Sequence, residues 1–301
     1  MPPAAEAGRT ERDWTEKEHH MLTLVTGATG QVGRGFVPRL LAQARPGERV
    51  RVIVRDEARA AALAERGAEV VVGDLRDTDV LGKALTGADA VVNIAASFRG
   101  VTDEEMRAVN RDAALELARA AVASGVRRFV QTSTILVYGA GRGRPHVEDD
   151  PTVPGGPMWM TYPESKLEAE QGLLALDGLD VRIGRLGFVY GEGDPHLPGI
   201  TRWTATQPAT KRHHLVHVAD TAQGLLRLLH APGADGRVYN IADDAPVTAL
   251  EIHQLLGEEP PADGPDPDPW YGIASTDRIR RELGYRPYFP TLWAARDAGA
   301  L

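Results

Sequence analysis

The sequence contains no cysteine. That excludes disulfides, thiolate metal sites and a cysteine nucleophile, and it fits a reducing compartment. No apolar run approaches the length of a membrane-spanning helix, and the N-terminus lacks the apolar core of a secretory leader. The expected location is therefore cytoplasmic, with no membrane partner. Positive charge is also in deficit: 34 Lys and Arg stand against 42 Asp and Glu, a formal net charge of −8. This argues for solubility and against nucleic acid as a main partner. No internal repeat is visible. What remains is an ordinary globular composition, 43% hydrophobic and 25% charged over 301 residues, enough for one large domain or two interlocked ones.

Against that background one stretch organises the rest. An apolar run, Leu22-Thr23-Leu24-Val25, stops at Thr26, and glycines follow at positions 27, 30 and 33. Phe36, Val37, Leu40 and Leu41 then recur at helical spacing. The pattern reads strand, tight turn, helix. Gly27 allows the sharp turn, Gly30 lets the backbone approach a pyrophosphate, and Gly33 lets the helix sit close on its strand. The helix start offers free N–H groups and a positive dipole end to the phosphates.

From Met21 the rhythm continues. Strands are expected over 50–54, 70–72, 88–94 and 126–131, and helices over 57–66, 78–85 and 102–124, the last closed by Gly125. Alternating strands and helices make βαβ units, hence an α/β fold with a doubly wound parallel sheet of Rossmann type. Residues 1–20 are rich in Pro, Ala and charge and are expected to form a disordered tail, with His19 and His20 solvated rather than metal-bound. Residues 21–190 form the expected dinucleotide-binding domain. Within it, 139–160 is a long loop rich in Gly, Pro and acidic residues, and long loops are usually functional. A helix over 162–176 and a strand starting at 181 follow. After Gly191 the alternation weakens. A loop is expected over 195–208, helices over 218–229, 250–256 and 276–283, a short strand over 238–241, and a Pro- and Asp-rich segment over 258–269. Residues 191–301 thus mainly build a smaller C-terminal substrate lobe interleaved with the first.

Tyr162 and Lys166 stand four residues apart, on one face of an expected helix. A phenol beside an ammonium makes a proton donor whose pKa the charge lowers toward neutrality. Thr132, Ser133 and Thr134 end a strand, at the edge where open α/β sheets bind ligands. A hydroxyl there holds a carbonyl or alcohol oxygen while Tyr162 exchanges its proton and a hydride passes to or from a nicotinamide ring.

These motifs resemble those of the extended short-chain dehydrogenases/reductases, the NAD(P)-dependent epimerase/dehydratase group, over about Met21 to Leu301. Thr26-Gly27-Ala28-Thr29-Gly30-Gln31-Val32-Gly33 is similar to the family's cofactor turn. Gly73-Asp74-Leu75 resembles the segment whose acidic residue contacts the adenine, and Asn93-Ile94-Ala95-Ala96 the strand end lining the cofactor. Asn110 matches a helix Asn that supports the active site. In Gln131 to Gly139 the family's catalytic hydroxyl lies four residues before the Tyr of Val137-Tyr138-Gly139, which is Thr134, with Ser133 as the alternative. Arg185 to Gly191, which includes Val189, His217-Val218-Ala219-Asp220 and Val238-Tyr239-Asn240 are similar to later landmarks. The resemblance implies that Lys166 holds the cofactor ribose, that no metal is needed, and, since members often pair through a four-helix interface, it allows a homodimer.

The second strand ends Val54-Arg55, where NAD-binding members carry Asp or Glu. An Arg suits a 2′-phosphate, so NADP is expected, with Arg34 as helper; NAD is the alternative if Asp56 takes the ribose. Where the resemblance places the Asn that meets a nucleotide, this chain has Phe188, and the diphosphate-binding Arg falls on His213. Phe188, Met158, Trp159 and Met160 suggest an apolar or aromatic pocket, with Phe188 standing equally well as core. The His213-His214-Leu215-Val216-His217 run matches no metal-ligand spacing. The expected function is ketone reduction or alcohol oxidation with NADP on a small, non-nucleotide substrate. A nucleotide-sugar epimerase or dehydratase, using the same residues, and a non-catalytic dinucleotide sensor are the alternatives.

Overall fold

The structure is a computed structural model that describes residues 21–155, 160–194 and 196–301. The expected tail at 1–20, with His19 and His20, lies outside the described residues. Six strands run through the first two-thirds of the chain: β1 (Leu22–Thr26), β2 (Arg49–Val54), β3 (Glu69–Val72), β4 (Ala90–Asn93), β5 (Arg128–Thr134) and β6 (Asp180–Leu186). Short strands β7 (Phe188–Tyr190), β8 (Arg212–His213) and β9 (Leu215–His217) lie outside the main sheet, and β10 (Val238–Ile241) rejoins it. The seven-stranded sheet has the order β10-β6-β5-β4-β1-β2-β3, with every neighbouring pair parallel. β1 is buried from end to end, as a strand covered on both faces must be.

Helices cover both faces. On one, Phe36, Val37 and Leu40 of α1 (Gln31–Gln43) pack with Leu225, Leu228 and Leu229 of α8 (Val218–His230). On the other, Leu81 and Leu85 of α3 (Thr78–Leu85) pack with Leu117 of α5 (Ala113–Ala123) and Leu173 of α6 (Thr161–Leu174). Removing each such leucine from water contributes about 2 kcal/mol. The strand order reverses between β1 and β4, which opens a crevice above their carboxyl ends. Beneath it a buried polar chain crosses three strands: Thr26 Oγ1 donates to Asn93 Oδ1, and Asn93 Nδ2 donates to Gln131 Oε1 at 2.8 Å. These residues are paired in register, so a one-residue slip would orphan them all.

Two expectations are corrected and one is refined. The helix expected over 57–66 reduces to a 3₁₀ turn (Ala58–Ala60) and one turn of α2 (Ala61–Ala64). The long helix expected over 102–124 is present without interruption as α4 (Asp103–Arg107), a π-helical turn (Ala108–Asp112) and α5. The loop expected over 195–208 contains α7 (His196–Thr204). Pro198 sits in its first turn, where a missing N–H costs nothing, and Leu197 and Ile200, three apart, bury against Tyr190, Leu215 and Ile252. Ile252 belongs to α9 (Ala249–Leu256), which carries a full capping box between Thr248 and Glu251 and follows β11 (Val247–Thr248). Two more short helices, α10 (Asp277–Leu283) and α11 (Leu292–Asp297), close the chain. Among the described residues no helix is long and apolar enough to cross a membrane.

Candidate active site

A cleft of about 610 Å³ runs over the carboxyl edge of the sheet. It joins the glycine turn, the end of β2, the ends of β4 and β5, the face of α6 and the segments after β6. At one end, Gly27 has φ +66, and a Cβ there would stand 2.6 Å from Ala95 N, so only glycine turns this tightly beside β4. At Gly33 a Cβ would fall 2.2 Å from Gly27 O. The expected residues Gly27, Thr29, Gly30, Gln31 and Val32 line the cleft, as do Ala95, Ala96 and Val189. Gln31 Nε2 donates to Val189 O at 2.8 Å, tying the turn to β7. Gly33 does not line the cleft: it is buried packing that lets α1 start close under the turn. α1 has Gly30 at its N-cap with no side-chain cap and no acidic residue in its first turn. The positive end of its dipole faces the turn, and the residues present fit a dinucleotide pyrophosphate.

The end of the cleft beside β2 is arginine-rich. Arg55, Asp74 and Leu75 line it. Asp56 is exposed, is not part of the lining, and accepts from Ala58 N at 3.0 Å. Arg34 is exposed and not part of the lining, whereas Arg59 and Arg76 are. Arg59 was not legible as a site residue, because the turn that brings its Nη2 to Thr29 O (3.3 Å) exists only in the fold. Asp74 is held by Arg76 at 2.8 and 2.9 Å, and that guanidinium lowers its carboxyl to about 2.

The opposite wall carries the other expected residues. Tyr162 and Lys166 both face the cleft from α6. The Tyr162 ring packs on Phe98 with centroids 5.2 Å apart. Lys166 is buried and its Nζ donates to Thr132 O at 3.2 Å. One turn further on, buried Glu170 pairs with Arg185 through contacts of 3.0 and 2.6 Å. Burial pushes the Tyr162 phenol up to about 12. Burial pulls the Lys166 ammonium down to about 8, with Glu170 opposing. The expectation of a phenol lowered by its lysine does not hold in the protein alone, where burial is what moves the phenol and moves it upward. Thr134 Oγ1 lines the cleft and accepts from Leu136 N at 3.2 Å. The neighbouring Ser133 Oγ is buried without a hydrogen-bond partner among the described residues. Asn110 stands behind the wall, fully buried in the π-helical turn. Its Oδ1 accepts from Ser97 N at 2.9 Å, and its Nδ2 donates to Ser97 O at 2.7 Å and Ser165 Oγ at 3.3 Å. It braces the strand end against α6 without lining the cleft.

Beyond Tyr162 the cleft continues into the C-terminal segments, past Phe188, Trp203, Gln207, His213 and Tyr271. Phe188 therefore lines the cleft while also packing on the apolar cluster of α7. Met160 is exposed and outside this lining, and Met158 and Trp159 lie outside the described residues. The histidine run serves structure in part: His214 Nε2 meets Asp243 O at 2.9 Å while its Nδ1 accepts from Ala274 N.

Comparison with known proteins agrees with this geometry. Residues 23–242 match the model of the NAD dependent epimerase/dehydratase family. A 4-hydroxy-2-methyl-3-oxo-4-farnesyl-3,4-dihydroquinoline-1-oxide ketoreductase from Stigmatella aurantiaca is 30% identical over 79% of this chain and 73% of its own. A dTDP-glucose 4,6-dehydratase from Streptomyces griseus is 32% identical over 88% of each chain. Among solved structures, a short-chain dehydrogenase/reductase superfamily protein from Agrobacterium tumefaciens with bound NAD superposes with a TM-score of 0.76 at 26% identity, covering 92% of this chain and 95% of that one. A glycine turn feeding α1, a reversed strand order above it and Tyr162 with Lys166 on the facing helix, together with these matches, make the chain a member of the NAD-dependent epimerase/dehydratase family, the extended short-chain dehydrogenases/reductases.

Proposed function

We propose that the protein reduces a ketone, or oxidises the corresponding alcohol, with NADP on a small, non-nucleotide substrate. The observation that carries this reading is the single cleft joining the arginine-rich ribose end to Tyr162, Lys166 and Thr134. A bound nicotinamide dinucleotide supplies the hydride. Tyr162 holds at its phenol oxygen the proton that passes to the substrate oxygen. With its pKa near 12 that proton is in place at neutral pH, the form a reduction needs. Lys166 keeps its ammonium charge below about pH 8, binds the ribose and eases loss of the phenolic proton. Thr134 Oγ1 orients the substrate oxygen. Asn110 holds α6 in place behind them.

NADP is favoured because Arg55 and Arg59 both line the cleft and Asp56 does not; NAD remains the alternative, the cofactor bound in the Agrobacterium tumefaciens protein. A nucleotide-sugar substrate is disfavoured because Phe188 and His213 line the cleft at the positions where the resemblance places a nucleotide-binding Asn and a diphosphate-binding Arg. The boundary near residue 191 is proposed to separate cofactor-binding from substrate-binding work, and pairing into a homodimer is proposed on the family's habit.

The test is a calorimetric titration with each nicotinamide cofactor, followed by absorbance assays on ketones and sugar nucleotides. Net consumption of NADPH with a ketone is the expected result. Conversion of a sugar nucleotide with no net cofactor consumption would assign the epimerase or dehydratase reaction instead, and binding without any turnover would assign a sensor.

A further inference from the structure

The far end of the cleft holds two buried polar atoms with no partner among the described residues. Gln207 follows α7 and His213 ends β8, which is held in place by pairing with β11. Both side chains line the cleft. His213 is 9% exposed, and its Nε2 has no hydrogen bond; neither has the buried Oε1 of Gln207. The Trp203 ring meets the His213 ring edge-on, with centroids 5.0 Å apart. Such atoms are expensive to leave unpaired in a folded protein.

We propose that Gln207 and His213 form a hydroxyl-recognition subsite, and that the substrate is an aromatic or polycyclic ketone carrying a hydroxyl remote from its carbonyl. The proposal rests on the reductase reading above and names its substrate class. The chemistry selects among ligands. Gln207 Oε1 only accepts, so the ligand group must donate. Burial holds the His213 imidazole neutral, down to about 3, so its Nε2 donates or accepts by tautomer but brings no charge. A phosphate or carboxylate has no donor to offer Gln207 Oε1 and would leave that acceptor unpaired. A hydroxyl, one donor with two acceptor lone pairs, satisfies both atoms at once. Trp203 and Phe188 beside them supply the apolar walls for a ring.

The test compares ketone pairs differing only in a ring hydroxyl: benzylacetone and its para-hydroxy form, tetralone and hydroxytetralones, acetonaphthone and hydroxyacetonaphthones, each with NADPH. We expect about a tenfold higher kcat/KM for the hydroxylated member of at least one pair, expressed mainly in KM, which is what one or two net hydrogen bonds give. In His213→Phe and Gln207→Met the ratio within that pair falls toward one. Because the ratio is internal to each protein, a partial loss of folded enzyme leaves it readable. Calorimetric binding of the same ligands to the NADPH-loaded wild-type protein decides the case if a variant fails to fold. Turnover of the ketones without any hydroxyl preference, or a preference surviving both substitutions, overturns the subsite and leaves the reductase reading standing. Tighter binding of hydroxylated ligands without turnover does the reverse. A site that holds only water shows equal binding within every pair, which also overturns it.

Discussion

Asp243 offers a measurable consequence of burying a carboxyl just behind the cleft. It is 1% exposed and follows β10. Its Oδ1 accepts from His217 N at 3.2 Å and its Oδ2 from the Tyr190 hydroxyl at 3.1 Å. Its backbone carbonyl meets His214 Nε2 beside the cleft. Burial pushes the carboxyl from 3.8 to about 7, and these two hydrogen bonds only partly oppose it. A raised pKa means that the folded protein keeps a proton which the unfolded chain releases. Stability is therefore undiminished below about pH 4 and declines as pH climbs toward 7. The full shift is about 4 kcal/mol, of which about 2–3 kcal/mol accrues between roughly pH 5 and 8. Asp243→Asn removes the titration while leaving an N–H where the protonated acid has its O–H. Urea unfolding of both proteins across that range should show the variant gaining on wild type by about 2–3 kcal/mol as pH rises. Taking the difference cancels the opposite contributions of His213 and His214, whose buried imidazoles have lowered pKa values and gain stability as pH rises. A difference that stays flat with pH would refute the reasoning.

Tyr162→Phe keeps the ring on Phe98 and loses only the phenol; turnover should fall by about 10²- to 10⁴-fold while calorimetric cofactor affinity stays within about twofold, and retained turnover removes Tyr162 from its role. Arg55→Asp should shift the ratio of NADP to NAD affinity by about 10- to 100-fold toward NAD, the value of one charge-assisted contact; an unchanged ratio would assign 2′-phosphate recognition elsewhere. Gly33→Ala places a Cβ about 2.2 Å from Gly27 O, and since the obstacle is backbone, α1 must move: loss of cofactor binding with a lower Tm is expected, and an unchanged titration would show that the turn is softer than its packing implies.

Much of the glycine turn was legible because it is local in sequence. Gly27 to Gly30 form the turn and Gln31 opens α1, all in consecutive residues. The helix at 78–85 and the strand at 238–241 appear with the boundaries that periodicity and Gly or Pro punctuation set. Where reading failed, a local signal was overridden by packing. Pro198 and Gly199 read as loop, yet Leu197 and Ile200 had an apolar cluster to enter. The π-helical turn carries no composition signal; it is visible only once Asn110 is seen reaching Ser97 and Ser165.

The substrate half obeys a different rule. Leu136, Phe188, Trp203, His213 and Tyr271 come from five separated segments and meet only in the folded cleft. None of the contacts that set its geometry is local: Lys211 pairs with Asp266 and donates to the carbonyl of Asp268, and His213 is placed by pairing with Val247. Counted along the sequence, the cluster Lys211-Arg212-His213-His214 looks cationic and suited to phosphate. Folded, its two cations are bonded to backbone carbonyls, one histidine is locked into the backbone of Asp243, and the other is a neutral ring with a vacant nitrogen. Lys211, Arg212 and His213 all line the cleft beside Phe188, Trp203 and Tyr271, so what this end offers a ligand is set by the folded arrangement and not by the run of residues along the chain.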